Sequence, residues 1–262
     1  MVSKVSIFII LFNMVSGIFV PAALFLFFKK KYQTSSKSFF AGCAVMFLFA
    51  LVLEQMVHSI VLGSPVGATL QNNIWFYALY GALMAGIFEE TGRFLAMRFV
   101  LKKERGNARN ALMYGAGHGG FEMFIILTMG MVNNLIYSVM INTGQMQTIL
   151  APLDDATKNT LQTAIDTLVS TPSWQFLLSP VERLAAITAQ IGLSVIVWFA
   201  ATGKKSKISL YVLAVLLHAL LDGVAVVAAK SGISVIVVEI IIWIIAIGIV
   251  FVAKKIWKKY CD

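Results

Sequence analysis

The chain alternates between long apolar runs and short polar connectors. Seven runs, at about 5–28, 38–62, 74–101, 110–141, 181–201, 208–229 and 233–256, each hold about 20 residues or more, enough for a helix to cross roughly 30 Å of hydrocarbon. The pattern predicts an all-α membrane protein, a polytopic bundle of about seven transmembrane helices forming a single transmembrane domain over residues 1–262. The fourth run is longer than a bilayer requires, so a tilt, a kink or an extension beyond the membrane is expected. One long connector, about 142–180, separates the fourth run from the fifth. Within it Leu153, Leu161, Ile165, Leu168 and Val169 follow helical spacing, and Asp154 and Asp155 stand where a helix start is expected. These positions predict an amphipathic helix lying on the membrane surface, with a lid over a substrate entrance as the functional alternative. Pro172 and Pro180 punctuate the return to the fifth run.

Composition supports the same class. The 262 residues are 59% hydrophobic and 13% charged, whereas a soluble domain keeps roughly 25% charged residues to cover its surface. The net charge of +9 is placed in a way that excludes a nucleic-acid partner. Lys29, Lys30, Lys31 and Lys37 follow the first run, and Lys102, Lys103, Arg105 and Arg109 follow the third. Lys204, Lys205 and Lys207 follow the fifth, and Lys254, Lys255, Lys258 and Lys259 close the chain. Basic connectors collect on the cytoplasmic side of a membrane. They all reach that side when the N-terminus is outside and the C-terminus cytoplasmic, as an odd number of spans requires. The partner is the lipid bilayer, and the expected location is a bacterial cytoplasmic membrane. A cleaved signal peptide is not expected, because the basic run follows the first apolar stretch instead of preceding it. Cys43 and Cys261, one in a span and one in the inner tail, are not expected to form a disulfide.

The polar residues inside the runs carry the candidate chemistry. An ionisable group at the centre of a span costs about 2.5–3.5 kcal/mol on insertion scales, and a central Leu or Ile returns only about 0.3–0.6 kcal/mol. This chain nevertheless places Glu54, His58, Glu89, Glu90, Arg93, His118, Glu122, His218, Asp222 and Glu239 within runs. Glu54 and His58, Glu89 and Arg93, His118 and Glu122, and His218 and Asp222 are each one helical turn apart and share a face. At about 1.5 Å per residue, Glu89 and Glu90, His118 and Glu122, and His218 and Asp222 fall in one slab at mid-bilayer depth. Glu54 and His58 sit higher and are expected to form a separate structural pair. The glycines at 115, 117, 119 and 120 surround His118. They suit close helix approach and are expected to leave room beside the histidine for a substrate backbone.

Peptide hydrolysis needs an activated water and a stabiliser for the tetrahedral oxyanion. Glu89, His118, His218 and Asp222 supply these roles. The same inventory suits zinc, with His118, His218 and Glu122 as alternative ligands, although the zinc-protease string H-E-x-x-H is absent. The order of the motifs resembles the type II CAAX-protease and bacteriocin-processing (CPBP) superfamily of intramembrane glutamate proteases. The matching strings are Glu89-Glu90-Thr91-Gly92-Arg93, then Tyr114 four residues before His118, then His218 four residues before Asp222. E-E-T-G-R, G-H-G-G-x-E and H-A-L-L-D look most like the YhfC branch. The arginine stands one residue earlier than in the general pattern, and tyrosine replaces phenylalanine. The resemblance implies a glutamate-type endopeptidase that needs no cofactor and acts on a membrane protein or peptide. It makes Glu89 the general base and His118 the water-holding partner, with His218 and Asp222 forming the oxyanion pocket. Glu90, Arg93, Glu122 and Tyr114 would support them. A proton-coupled transporter or a non-catalytic membrane scaffold could use the same buried cluster.

Overall fold

The computed structural model describes residues 1–203 and 207–261. Lys204 and Lys205, two cations of the third basic connector, lie outside the described residues. The principal helices are α1 (Lys4–Tyr32), α2 (Ser36–Leu62), α3 (Ile74–Leu95), α4 (Asn110–Thr143), α5 (Asp155–Ser170), α6 (Leu178–Thr202), α7 (Ile208–Lys230) and α8 (Val235–Cys261). No strand occurs among the described residues. In apolar solvent the helix is the open-ended structure that satisfies its own backbone donors and acceptors. By length and composition, 6 helices among the described residues can cross a membrane: α1, α2, α4, α7, α8, and Ser173–Thr202, which contains α6. The 22-residue α3 is not among them. It carries Glu89, Glu90 and Arg93, and their polarity offsets much of its apolar length. The protein is an integral membrane protein built of helices.

The helices group into two compact units. The first holds Met1–Val20 and Met123–Arg183. Its core is Ile9, Ile10, Met131, Leu168 and Phe176. Polar clasps fasten it: the Asn142 amide and the Val2 backbone exchange two hydrogen bonds, both 2.9 Å, and Asn13 Nδ2 donates to the Phe176 carbonyl at 2.7 Å. The long fourth run relaxes here through wide, π-type turns at Phe124–Met129, a local adjustment found in many membrane helices. The connector forms α5 as its spacing predicts, with Ile165 and Leu168 buried on one face.

The second unit comprises Pro21–Glu122 and the chain from Leu184 on. Its central pillar is α6, the most buried of the six candidate spans among the described residues. Leu193, Ile196 and Trp198 of α6 pack with Met97, Leu101, Ala246 and Ile249. Small residues set the registers around this pillar. A Cβ on Gly86 of α3 would meet the Val215 carbonyl of α7 at 2.8 Å, and Ala82 packs against Gly223 one turn further along. Gly115 lies against Ile191 of α6, and Gly117 against the Phe39 backbone of α2. The G-x-G-H-G-G glycines are therefore filled by neighbouring helices. The room for a substrate backbone that they suggest is not there.

The cap of α5 yields a prediction. Asp154 accepts from the Thr157 backbone N–H at 3.0 Å and from the Thr157 hydroxyl at 2.7 Å. These bonds, the backbone one first, hold its carboxyl below the ordinary range. A depressed carboxylate stabilises the fold above its unfolded value of about 3.9, and that contribution is lost as pH falls through the folded value. Asp154→Ala should fray the first turn of α5 at neutral pH, as acidification does in the wild type. Amide-exchange protection at Thr157 is the measurement, and protection unchanged by the substitution would remove the cap from the account.

Candidate active site

Four helices of the second unit bring their polar residues to one place. The tight α3–α7 contact at Gly86 and Val215 sets Glu89 and Glu90 level with His218. The α4–α6 contact at Gly115 and Ile191 sets His118 beside the next turn of α6.

Glu89 stands at the centre. Its Oε2 lies 2.7 Å from His118 Nε2 and 3.7 Å from His218 Nε2. Glu90 turns the other way. Its Oε1 lies 2.7 Å from His218 Nδ1, and Arg93 Nη1 donates to both of its oxygens at 2.9 and 3.0 Å. The early arginine thus reaches the second glutamate, because three residues along a helix also share a face. Glu90, Arg93 and His118 are fully buried, and Glu89 is 7% exposed. Asp222 completes the group with Oδ2 3.4 Å from His218 Nε2. Its side chain is 37% exposed, so the cluster opens at Asp222. Tyr114 stacks on the His118 ring at 6.1 Å between centroids, which limits how the imidazole can turn.

The inventory of charged residues passes over one member, Gln190 of α6. Its Nε2 donates to Glu89 Oε2 at 3.1 Å and to Glu122 Oε2 at 3.4 Å, while its Oε1 accepts from Arg93 Nη2. This amide orientation is fixed by its neighbours, since a flip would set an oxygen against two carboxylates and an NH2 against a guanidinium. Gln190 ties the acids to the arginine across three helices. The signal in the sequence is a lone amide in the middle of a largely apolar run, and its neutrality hides it beside the charged residues. Glu122 reaches the cluster through this amide. Glu54 and His58 pair at 3.1 Å, and His58 Nδ1 also meets the Tyr80 hydroxyl at 3.0 Å.

The donor set is of a kind zinc uses: two imidazoles and carboxylates around one point. His218 binds a carboxylate through its other ring nitrogen, as ligating histidines commonly do. His118 Nδ1, on the side of the ring away from Glu89, is buried without a hydrogen-bond partner among the described residues, so it leaves Nε2 as the nitrogen that faces the cluster. The chemistry therefore fits a metal. The spacing is that of a hydrogen-bonded cluster, and no three His, Cys, Asp or Glu among the described residues are grouped to hold an ion as they stand.

The fold and cluster define a polytopic helical membrane protein that encloses ionisable Glu, His and Arg side chains beside one partly open carboxylate. Comparison with known proteins makes the class specific. The family model described as YhfC intramembrane metalloprotease matches residues 16–242. A Bacillus subtilis (strain 168) protein described as an uncharacterized membrane protein, YhfC, is 37% identical over 233 residues, which cover 88% of each chain. No solved structure matches. The chain belongs to the YhfC family of intramembrane metalloproteases, and intramembrane protease is the enzyme class this membership carries.

Gln190→Leu, which removes three hydrogen bonds to charged groups, should lower stability by about 3 kcal/mol or more. Thermal unfolding of the purified protein in one detergent measures it. An unchanged midpoint would mean that the amide does not bridge these charges.

Proposed function

We propose that this chain hydrolyses peptide bonds of membrane-embedded or membrane-associated substrates, with Glu89 as general base, His118 holding the attacking water and His218 with Asp222 forming the oxyanion pocket. The observation that carries the reading is the convergence of two imidazole Nε2 atoms, 2.7 and 3.7 Å away, on one oxygen of a buried carboxylate. A base must lie within hydrogen-bond reach of the proton it takes, directly or through one water. Glu89 meets that requirement for a water held beside His118. His218 is oriented by Glu90, which Arg93 holds in turn. Fixed in this way, the ring can present Nε2 to the oxyanion, and Asp222 beside it steadies the charge the ring acquires. Asp222 also marks the side from which the scissile bond enters. The motif order supports reading the chain as a relative of the CPBP superfamily, and on this reading α3 completes a seventh span, with the C-terminus cytoplasmic.

The family description points to a metal. His118 and His218 with Glu122 or Asp222 would hold zinc, leaving Glu89 as base, and bound zinc would supply a Lewis acid and a water acidic enough to ionise near neutrality. A reaction carried by the carboxylate alone needs only the residues named above.

Purified protein in liposomes, supplied with a library of apolar membrane peptides, tests both readings. Cleavage should fall at least about 100-fold in Glu89→Gln, the usual scale for loss of a general base, with the thermal midpoint retained. Elemental analysis and chelator treatment of the same preparation separate the mechanisms. Stoichiometric zinc and loss of turnover on chelation select the metal reading, and full turnover in metal-free protein selects the carboxylate. Turnover that survives both Glu89→Gln and His118→Ala ends the proposal. Glu122- or Asp222-dependent ion flux without cleavage would assign the cluster to transport.

A further inference from the structure

Away from the cluster, the second unit contains a cavity of about 530 Å³ where α1 ends and α4 begins. Tyr32, Arg109, Lys254 and Trp257 line it together with an aliphatic wall that includes Ile191, Val195 and Val250. The Arg109 guanidinium lies 5.2 Å from the centre of the Tyr32 ring. Arg109 and Lys254 are exposed, and neither has an acidic partner among the described residues. Arg109 immediately precedes α4, and Lys254 lies two turns, roughly 10 Å, before the end of α8. Both cations therefore lie near helix ends, positions that suit a membrane interface.

We infer that this cavity is a binding site for an anionic glycerophospholipid, with the headgroup phosphate between Arg109 and Lys254 and the start of an acyl chain on the aliphatic wall. Two cations facing one opening repel each other until an anion sits between them. A small soluble anion would satisfy that charge and leave the wall wet. A neutral apolar segment would cover the wall and leave the charge unmet. An anionic lipid does both, and basic pockets between membrane helices are recognised lipid headgroup sites. Tyr32 and Trp257 in the lining suit the same interface, where an apolar ring with a polar edge is most at home. The wall residue Ile191 follows Gln190 directly, so a bound lipid would brace the turn of α6 that holds the acidic cluster. The site itself rests on cavity geometry and charge, and stands apart from the catalytic reading.

The test is native mass spectrometry of the delipidated full-length protein, titrated with phosphatidylglycerol and with phosphatidylcholine of the same acyl chains. Wild type should hold phosphatidylglycerol about 30-fold more tightly, the scale for two cations meeting one extra negative charge. Arg109→Gln with Lys254→Gln should bring the ratio to within about 3-fold, whereas Lys258→Gln with Lys259→Gln, outside the cavity, should leave it intact. Val250→Trp, which enlarges the wall into the cavity and keeps both cations, should weaken both lipids by about 10-fold or more. Equal binding of the two lipids by wild type overturns the inference without reference to any variant's folding. So does a ratio that survives loss of Arg109 and Lys254, or that falls equally with Lys258 and Lys259. Displacement of the lipid by millimolar inorganic phosphate would show a headgroup-only anion site and would overturn it as well.

Discussion

The second unit depends on one constraint: a charge placed in hydrocarbon must find its counter-charge within the protein, because no solvent will supply one. Glu90 and Arg93 answer this on a single helix, and everything else in the site is arranged around that answer. Removing one partner of such a buried pair typically costs about 3–5 kcal/mol, more than the pair itself contributes to stability. The pair therefore does more to fix positions than to stabilise the unit. It holds His218 from one side, and through Gln190 it holds Glu89 from the other.

Glu89 is left in a different state from its neighbour. Glu90 has a guanidinium across both oxygens and an imidazole on one of them, while Glu89 has only imidazoles and an amide. Adjacent residues of the same type thus receive opposite assignments, one neutralised and one available. The 100° between successive side chains on a helix is what allows this.

Much of this was legible in the sequence, and the rest was hidden for a physical reason. Apolar run length is fixed by bilayer thickness, so the helices fall close to where hydropathy puts them, and the predicted amphipathic helix is α5. Pairs such as His218 and Asp222 are visible because one turn is a local property. Partnerships across helices are not local. That His118 meets Glu89 while His218 meets both glutamates depends on rotations set at Gly86 and Gly115, and those glycines read equally well as open space. Gln190 escaped notice because a neutral amide costs less to bury than a charge and so does not stand out. Tyr80 beside His58 was hidden in the same way, as one more aromatic in an apolar run.

The second unit is discontinuous in sequence, and its cluster is too. Glu89, Glu90, Arg93 and His118 precede the long connector, whereas Gln190, His218 and Asp222 follow it. During biosynthesis the acids and the first histidine reach the membrane well before their partners have been translated. Until α7 has been threaded into place, Glu89 lacks its second imidazole and Glu90 lacks its first. The cluster is therefore incomplete until α7 has joined the helices made before it.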